Sequence, residues 1–201
     1  MIKAIIFDFG DVFAKNIMRS IYYETSKRTG ANFDVVISEY HKLMPLIQRG
    51  KIMMDEFWKA YAQKLNSDPI LIEVVWNQTF EKNIEINKNV ESIIKKLKKL
   101  GYKVAVCTNT IKAFSDIHIK NNDYAIFDFV IISCEIGMRK PDREIYEFVL
   151  KKLNVEPEEC VFIDNELENV EGAKKAGMKT ILFENANQLK DNLKKCGING
   201  L

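Results

Sequence analysis

The sequence predicts an α/β protein, a parallel sheet covered by helices on both faces, with a small helical bundle inserted after the first strand. Two observations carry this. From Asn87 onward, short apolar runs rich in β-branched residues alternate with helical stripes, a pattern that implies parallel strands joined by right-handed crossovers. Between the first apolar run, Ile5-Ile6-Phe7, and that alternation lie residues 15–83, which carry helical periodicity and no strand pattern.

The chain starts with KAIIFDFGDVF at 3–13, an apolar strand that ends abruptly at Asp8. Such a run reads as a strand buried on both faces in the middle of a sheet. Its carboxyl end is where ligands bind in open α/β sheets, so Asp8 is a functional candidate by position. The insertion shows successive apolar faces: Met18, Ile21 and Tyr22, then Val36, Tyr40, Leu43 and Ile47, then Phe57, Ala60, Tyr61 and Leu65. Gly30, Gly50 and Asp68-Pro69 punctuate them. A bundle entered and left beside Asp8 would sit over the crevice as a cap.

Val90, Ile93, Ile94, Leu97 and Leu100 form the next stripe, ended by Gly101, and a strand follows over Lys103 to Cys107. The lysines at 95, 96, 98 and 99 fill the positions that the stripe leaves free and read as a solvated face. A helix over 112–120 leads to a strand from Phe129 to Ser133, and Pro141 opens a helix carrying Ile145, Phe148 and Val149. A strand from Cys160 to Asp164 precedes a helix with Leu167, Val170 and Ala173. A last strand, Lys179 to Phe183, is followed by a helix from Asn187 to Cys196.

The composition excludes several classes. Hydrophobic residues at 47% and charged residues at 29% are ordinary for a folded domain. A formal charge of +2, from 30 basic and 28 acidic side chains, gives no electrostatic case for nucleic acid. No stretch approaches the ~20 apolar residues of a membrane span, and the N-terminal run is too short for a signal peptide, so a cytoplasmic location is expected. The cysteines at 107, 134, 160 and 196 are widely spaced and read as reduced structural thiols; His41 and His118 read as ordinary helix residues.

Three more strand ends carry chemistry. Thr108-Asn109-Thr110 offers a hydroxyl and backbone N–H groups ahead of a helix, a common way to hold a phosphate. Lys140 stands immediately before Pro141, which keeps it out of helical geometry and lets its ammonium reach back over the sheet edge. Asp164 ends its strand and supplies a second carboxylate, which with Asp8 makes a pair of oxygen ligands for a hard cation such as Mg²⁺.

Asp, Thr, Lys and Asp in that order on successive strand ends resemble the haloacid dehalogenase-like hydrolase superfamily. The resemblance covers essentially the whole chain; Arg49 to Trp58 is similar to that superfamily's cap sequence, and FIDNELENVEGAKKAGM at 162–178 is the most specific match. It implies a Rossmann-like core at 1–14 and 84–201 with a helical cap at 15–83. It further implies a hydrolase working by covalent phosphoryl transfer, in which Asp8 attacks phosphorus. Mg²⁺ would be held by Asp8, the backbone carbonyl of Gly10 and Asp164, with Asn165 nearby, and Thr108, Asn109 and Lys140 would bind the phosphoryl oxygens. The implied substrate is a small phosphorylated metabolite such as a sugar phosphate, the implied partners include neither nucleic acid nor membrane, and the implied state is a monomer or homodimer.

The chain departs from the pattern twice. Gly10 stands where a second Asp usually protonates the leaving group, and Asp11, one residue along, is the nearest candidate to substitute. Asn165 stands where a second acid is common, while Asn169 is placed to orient a metal-bound water. Alternatives therefore remain at this stage. A 2-haloacid dehalogenase would use the same Asp on carbon without metal, though D-x-G-D-V here differs from the usual D-x-Y-G-T. A phosphonatase would need a cap lysine that the sequence does not identify. A binding or regulatory protein that has lost turnover would account for Gly10. Periodicity leaves open which of Tyr22, Tyr23, Met44 or Trp58 line a pocket.

Overall fold

The computed structural model describes residues 1–200. Its strands are β1 (Ala4–Phe7), β2 (Lys103–Thr108), β3 (Phe129–Ile132), β4 (Cys160–Asp164) and β5 (Lys179–Leu182). They form one sheet of order β3-β2-β1-β4-β5, parallel throughout. The helices α1 (Met18–Thr29), α2 (Phe33–Ile47), α3 (Met54–Lys64) and α4 (Pro69–Asn83) fill the interval between β1 and α5 (Lys88–Lys99). The remaining helices are α6 (Lys112–Lys120), the single turn α7 (Ser133–Ile136), α8 (Arg143–Leu153), α9 (Leu167–Lys175) and α10 (Ala186–Lys195). Among the described residues no helix is long and apolar enough to cross a membrane.

Strand β1 is central because it is apolar on both sides, and all four of its residues are buried. Ile5 and Phe7 face a layer built on Ile93, Leu97, Leu189 and Leu193 of α5 and α10. Ala4 and Ile6 face the opposite layer, built on Ile145, Tyr146 and Val149 of α8. Phe7 pairs with Val106 on one side and Ile163 on the other, so the next residue, Asp8, falls level with the ends of both neighbours.

The helices of the insertion have their own apolar cluster around Trp76, Phe57, Tyr61 and Tyr40, which continues onto Ile111, Phe114 and Ile117 at α6. The chain enters and leaves this bundle at adjacent points. Lys15 N–H donates to Glu85 O and Asn87 N–H to Phe13 O, and Ala14 bridges both Ile86 and Gly10. Both connections therefore run beside the loop that carries Asp8.

Three boundaries differ from the periodicity. Helix α8 begins at Arg143 rather than Pro141, with Asp142 at the N-cap position. Leu100 follows α5 and is 47% exposed, and Leu167, at the first turn of α9, is 60% exposed. In both cases a residue in phase with the stripe stands at the end of its helix and is left partly in solvent. Strand β3 stops at Ile132 because Ser133 turns to bond Thr110, its Oγ accepting from that residue's N–H at 3.0 Å.

The turn after α2 meets α7 closely. Gly50 has φ of 59° and an ideal Cβ there would lie 2.3 Å from the Cys134 carbonyl oxygen. Gly50→Ala should cost about 1–3 kcal/mol, the range for overpacking, read as a lowered Tm. Gly30→Ala, with φ of 74° but nothing within 4 Å, isolates the backbone strain and should cost less; equal losses would show that the contact with Cys134 is not tight.

Candidate active site

The polar residues singled out at the strand ends converge, except for Asp11. Asp8 continues the β1 ladder, its N–H donating to Ile163 O at 2.8 Å. Lys140 is 1% exposed, and its Nζ donates to Asp8 Oδ1 at 2.5 Å and to Asp164 Oδ2 at 2.6 Å. The ammonium also lies 5.6 Å from the centre of the Phe162 ring. Thr108, at the end of β2, is buried and lines the same cavity as Asp8.

Each of these groups is fixed by others. Asn109 clamps the Lys140 backbone: its Nδ2 donates to Lys140 O, and its Oδ1 accepts from Lys140 N–H, both at 2.9 Å. The side chain expected to bind phosphate is thus occupied in positioning Lys140. The N–H of Thr110 is likewise taken, by Ser133. Asp164 Oδ1 accepts from Glu166 N–H at 2.9 Å, and Asn169 Nδ2 lies 3.2 Å from both carboxylate oxygens. Tyr146 donates its hydroxyl proton to Asn169 O at 2.7 Å and so holds the start of α9 against α8.

Asp11 stands elsewhere. It sits at φ of 55° in the turn after Gly10, exposed, with Oδ1 accepting from Asn16 N–H at 2.9 Å, and it is not among the residues lining the cavity. Shifting a carboxylate one place along the chain has turned it into a loop-closing group. Asn165 does line the cavity, half-buried, with its Nδ2 donating to Glu166 Oε1 at 3.4 Å. Gly10 is not confined by space, since an ideal Cβ there would meet only Asp8 Oδ2, at 4.0 Å.

The cavity has a volume of about 570 Å³. Its floor is the strand-end loops, and its roof is mostly α1 and α2, with Phe80 and Ile84 from the end of α4. Tyr22 and Met44 face it; Tyr23 is exposed on another surface, and Trp58 is packed inside the bundle. Several lining residues were not anticipated, His118 and Arg139 among them. His118 is buried against Phe9, ring centres 4.5 Å apart, with Nδ1 2.8 Å from Asp123 Oδ2. Burial, opposed by Asp123, holds its imidazole below the ordinary value. Arg139 stands directly before Lys140. His118 had a signal in its spacing, four residues after Phe114 on the same helix face.

The donor set suits a hard dication. Lys140 engages one oxygen of each carboxylate, and Asn169 Oδ1 is buried beside Asp164 without a partner. Among the described residues no group of three His, Cys, Asp or Glu comes together. Two carboxylates completed by neutral oxygens are what Mg²⁺ accepts, since it keeps several waters.

One ammonium between two carboxylates leaves an excess negative charge. Burial, together with the neighbouring Asp164 and against the pull of Lys140, pushes Asp8 up to about 7. Burial lowers Lys140, but the two carboxylates prevail and hold its ammonium above the ordinary value. An unfolded Asp8 would ionise in the ordinary carboxylate range, near 3.8. The folded state therefore binds more protons across that interval, and stability contributed by Asp8 falls as pH rises towards 7. Asp8→Asn removes this dependence. In chelator, its Tm relative to the unsubstituted protein should rise between pH 5 and pH 8 by roughly 5–10 °C, since two pH units below about 7 correspond to ~2.7 kcal/mol and each ~1 kcal/mol shifts Tm by about 2–4 °C in a chain of this size. A difference constant across that range would sink the assignment.

The chain matches the family model described as haloacid dehalogenase-like hydrolase over residues 2–177. It is 29% identical to the D-ribitol-5-phosphate phosphatase of Bacteroides thetaiotaomicron, across 92% of this chain and 93% of that protein. It is 26% identical to the drimenol cyclase of Aspergillus calidoustus over 96% of this chain, which spans only 36% of that longer protein. Its fold is that of a HAD family enzyme of Bacteroides thetaiotaomicron solved with magnesium and inorganic phosphate, with a TM-score of 0.74, 23% identity, and 92% and 95% of the two chains covered.

Proposed function

Since this chain belongs to the haloacid dehalogenase-like hydrolase family, we propose that it is a Mg²⁺-dependent phosphatase of a small phosphorylated metabolite. The observation that carries the reading is the buried ammonium of Lys140, shared by Asp8 and Asp164 on the floor of a cavity roofed by the insertion. The identity with a sugar-alcohol phosphatase along nearly the whole of both chains supports the same class.

In this reading residues 15–83 are a cap over a catalytic core formed by 1–14 and 84–201. Asp8 is the nucleophile. A bond forms between its carboxylate and phosphorus as the ester P–O bond breaks, and water then attacks phosphorus to regenerate the carboxylate. The phosphoryl oxygens accept hydrogen bonds from the Lys140 ammonium and the Thr108 hydroxyl, with Asn109 keeping Lys140 in place. Asp8, the Gly10 carbonyl and Asp164 would hold Mg²⁺, with Asn165 and Asn169 beside it. When bound, the cation neutralises the repulsion between carboxylate and phosphate and stabilises charge developing on the phosphoryl oxygens.

Gly10 supplies no proton to the leaving oxygen, and Asp11 is turned away. Substrates with stable leaving groups should therefore react fastest. The test is phosphate release from sugar phosphates, nucleotides and p-nitrophenyl phosphate, with and without Mg²⁺. Mg²⁺-dependent release is expected, reduced on the order of 10³-fold or more in Asp8→Asn. Absence of release from every ester would overturn the phosphatase reading and bring carbon–halogen cleavage forward.

The open space at Gly10 makes a second test. Gly10→Asp should speed hydrolysis of sugar phosphates by about 10²-fold, the lower end of general acid–base contributions, and affect p-nitrophenyl phosphate far less. Equal effects on both would mean that the introduced carboxyl does not act on the leaving group.

A further inference from the structure

Two cavity-lining cations stand outside the reading above: Lys15, which lies 3.5 Å from the Glu85 carboxylate, and Arg139. Arg139 differs from its neighbours. Arg49 is paired with Asp142 through Nη2 at 2.5 Å and Nε at 3.2 Å, and Arg143 with Glu147 at 2.6 Å. Among the described residues Arg139 has no carboxylate within ion-pair distance, although Asp142 and Glu168 lie near enough to act on its charge, as does Arg49 with the opposite sign. Its Nε is buried and makes no hydrogen bond.

A second unpartnered atom faces the same cavity from the cap side. Gln48, just past α2, is buried, and its Oε1 has no partner. Tyr40, buried on α2, lines the same cavity as both. A donor and an acceptor left unsatisfied around one cavity cost free energy in the empty protein, and a ligand that supplies their partners recovers it.

These groups are separate from the phosphoryl site. Lys140 runs down between Asp8 and Asp164, whereas the preceding side chain lines the cavity with Tyr40 and Gln48 of the roof and with Glu168. A leaving group on a phosphorus held over Asp8 would extend towards that roof. A guanidinium fork matches carboxylate and phosphate oxygens in pairs, and an amide oxygen beside it accepts from a hydroxyl.

We infer that Arg139, Gln48 and Tyr40 form a second anion subsite, so that the preferred substrate is a phosphomonoester whose leaving group carries a further carboxylate or phosphate next to a hydroxyl. This rests on the phosphatase reading and narrows its substrate class. Tyr22, Phe80 and Phe114 give the cavity an aromatic wall, and Asn16, His41 and Glu166 also line it.

The test uses matched esters: 3-phosphoglycerate against glycerol 3-phosphate, and fructose 1,6-bisphosphate against fructose 1-phosphate. In the unsubstituted protein kcat/KM should favour the doubly anionic member of at least one pair by about tenfold or more, and the favoured pair identifies the second anion. Arg139→Gln should collapse that ratio to about one, mainly by raising KM for the anionic member, and Arg139→Lys should keep part of it, having the charge without the fork. Calorimetric binding of the same esters to Asp8→Asn reads the preference without turnover. Release from p-nitrophenyl phosphate with no preference in either pair would overturn the subsite and leave the phosphatase reading intact. If nothing is hydrolysed, the phosphatase reading fails, and equal binding of both members by Asp8→Asn would overturn the subsite as well. A preference that survives Arg139→Gln would also overturn it.

Discussion

The ammonium of Lys140, cut off from water between two carboxylates, sets the terms for the surrounding structure. A buried charge is tolerable only when its partners are in place and are themselves held. The loop after β2 meets that requirement through Asn109, whose amide grips both backbone groups of Lys140. Helix α9 meets it through Asn169 and the Glu166 N–H, which complete the hydrogen bonding of Asp164. Helix α8 contributes Tyr146, which reaches α9 because Gly172 has no side chain; a Cβ there would lie 2.8 Å from the Tyr146 hydroxyl. Three chain segments are thus positioned by one charge cluster, and none of them is adjacent in sequence to Asp8.

The insertion is attached to the core on two sides by different forces. On one side its aromatic cluster extends to α6, where Phe80 and Phe114 stack with ring centres 3.9 Å apart and planes within 6°. On the other, the Arg49 guanidinium grips Asp142, next to the loop that carries Lys140. The aromatic contact is dry and insensitive to salt, while the ion pair is partly exposed and worth little by itself. Between the two attachments lies the cavity, whose walls come from both parts of the chain.

Within that cavity, chemistry and packing separate cleanly at Gly10. Neither a positive φ nor a crowded Cβ position requires glycine there, so packing does not account for the missing carboxylate. His118 and Asp123 show the converse: a buried imidazole with a carboxylate behind it, placed against Phe9 by aromatic packing.

The apolar runs by themselves determined β1 and β4, because a strand buried on both faces must be apolar at every position, and Ile5-Ile6-Phe7 or Val161-Phe162-Ile163 can be little else, while the alternation with helices pointed to the less buried edge strands β3 and β5. The same runs determined where Asp8, Thr108 and Asp164 would lie, since each stands at the point where hydrophobicity stops. Lys140 was legible as a loop residue near the sheet edge. Periodicity could also show that residues 15–83 are helical. It could not show that α1 and α2 rather than α3 roof the cavity, that Tyr22 faces it while Tyr23 does not, or that Arg139 goes without a carboxylate while Arg49 finds one. Those outcomes depend on how helices pack against one another and on which side chains meet across 93 residues of chain, as Arg49 and Asp142 do. Local patterns encode burial; pairing across the sequence is decided only when the tertiary structure forms, because contact energies there depend on distance in space and not along the chain.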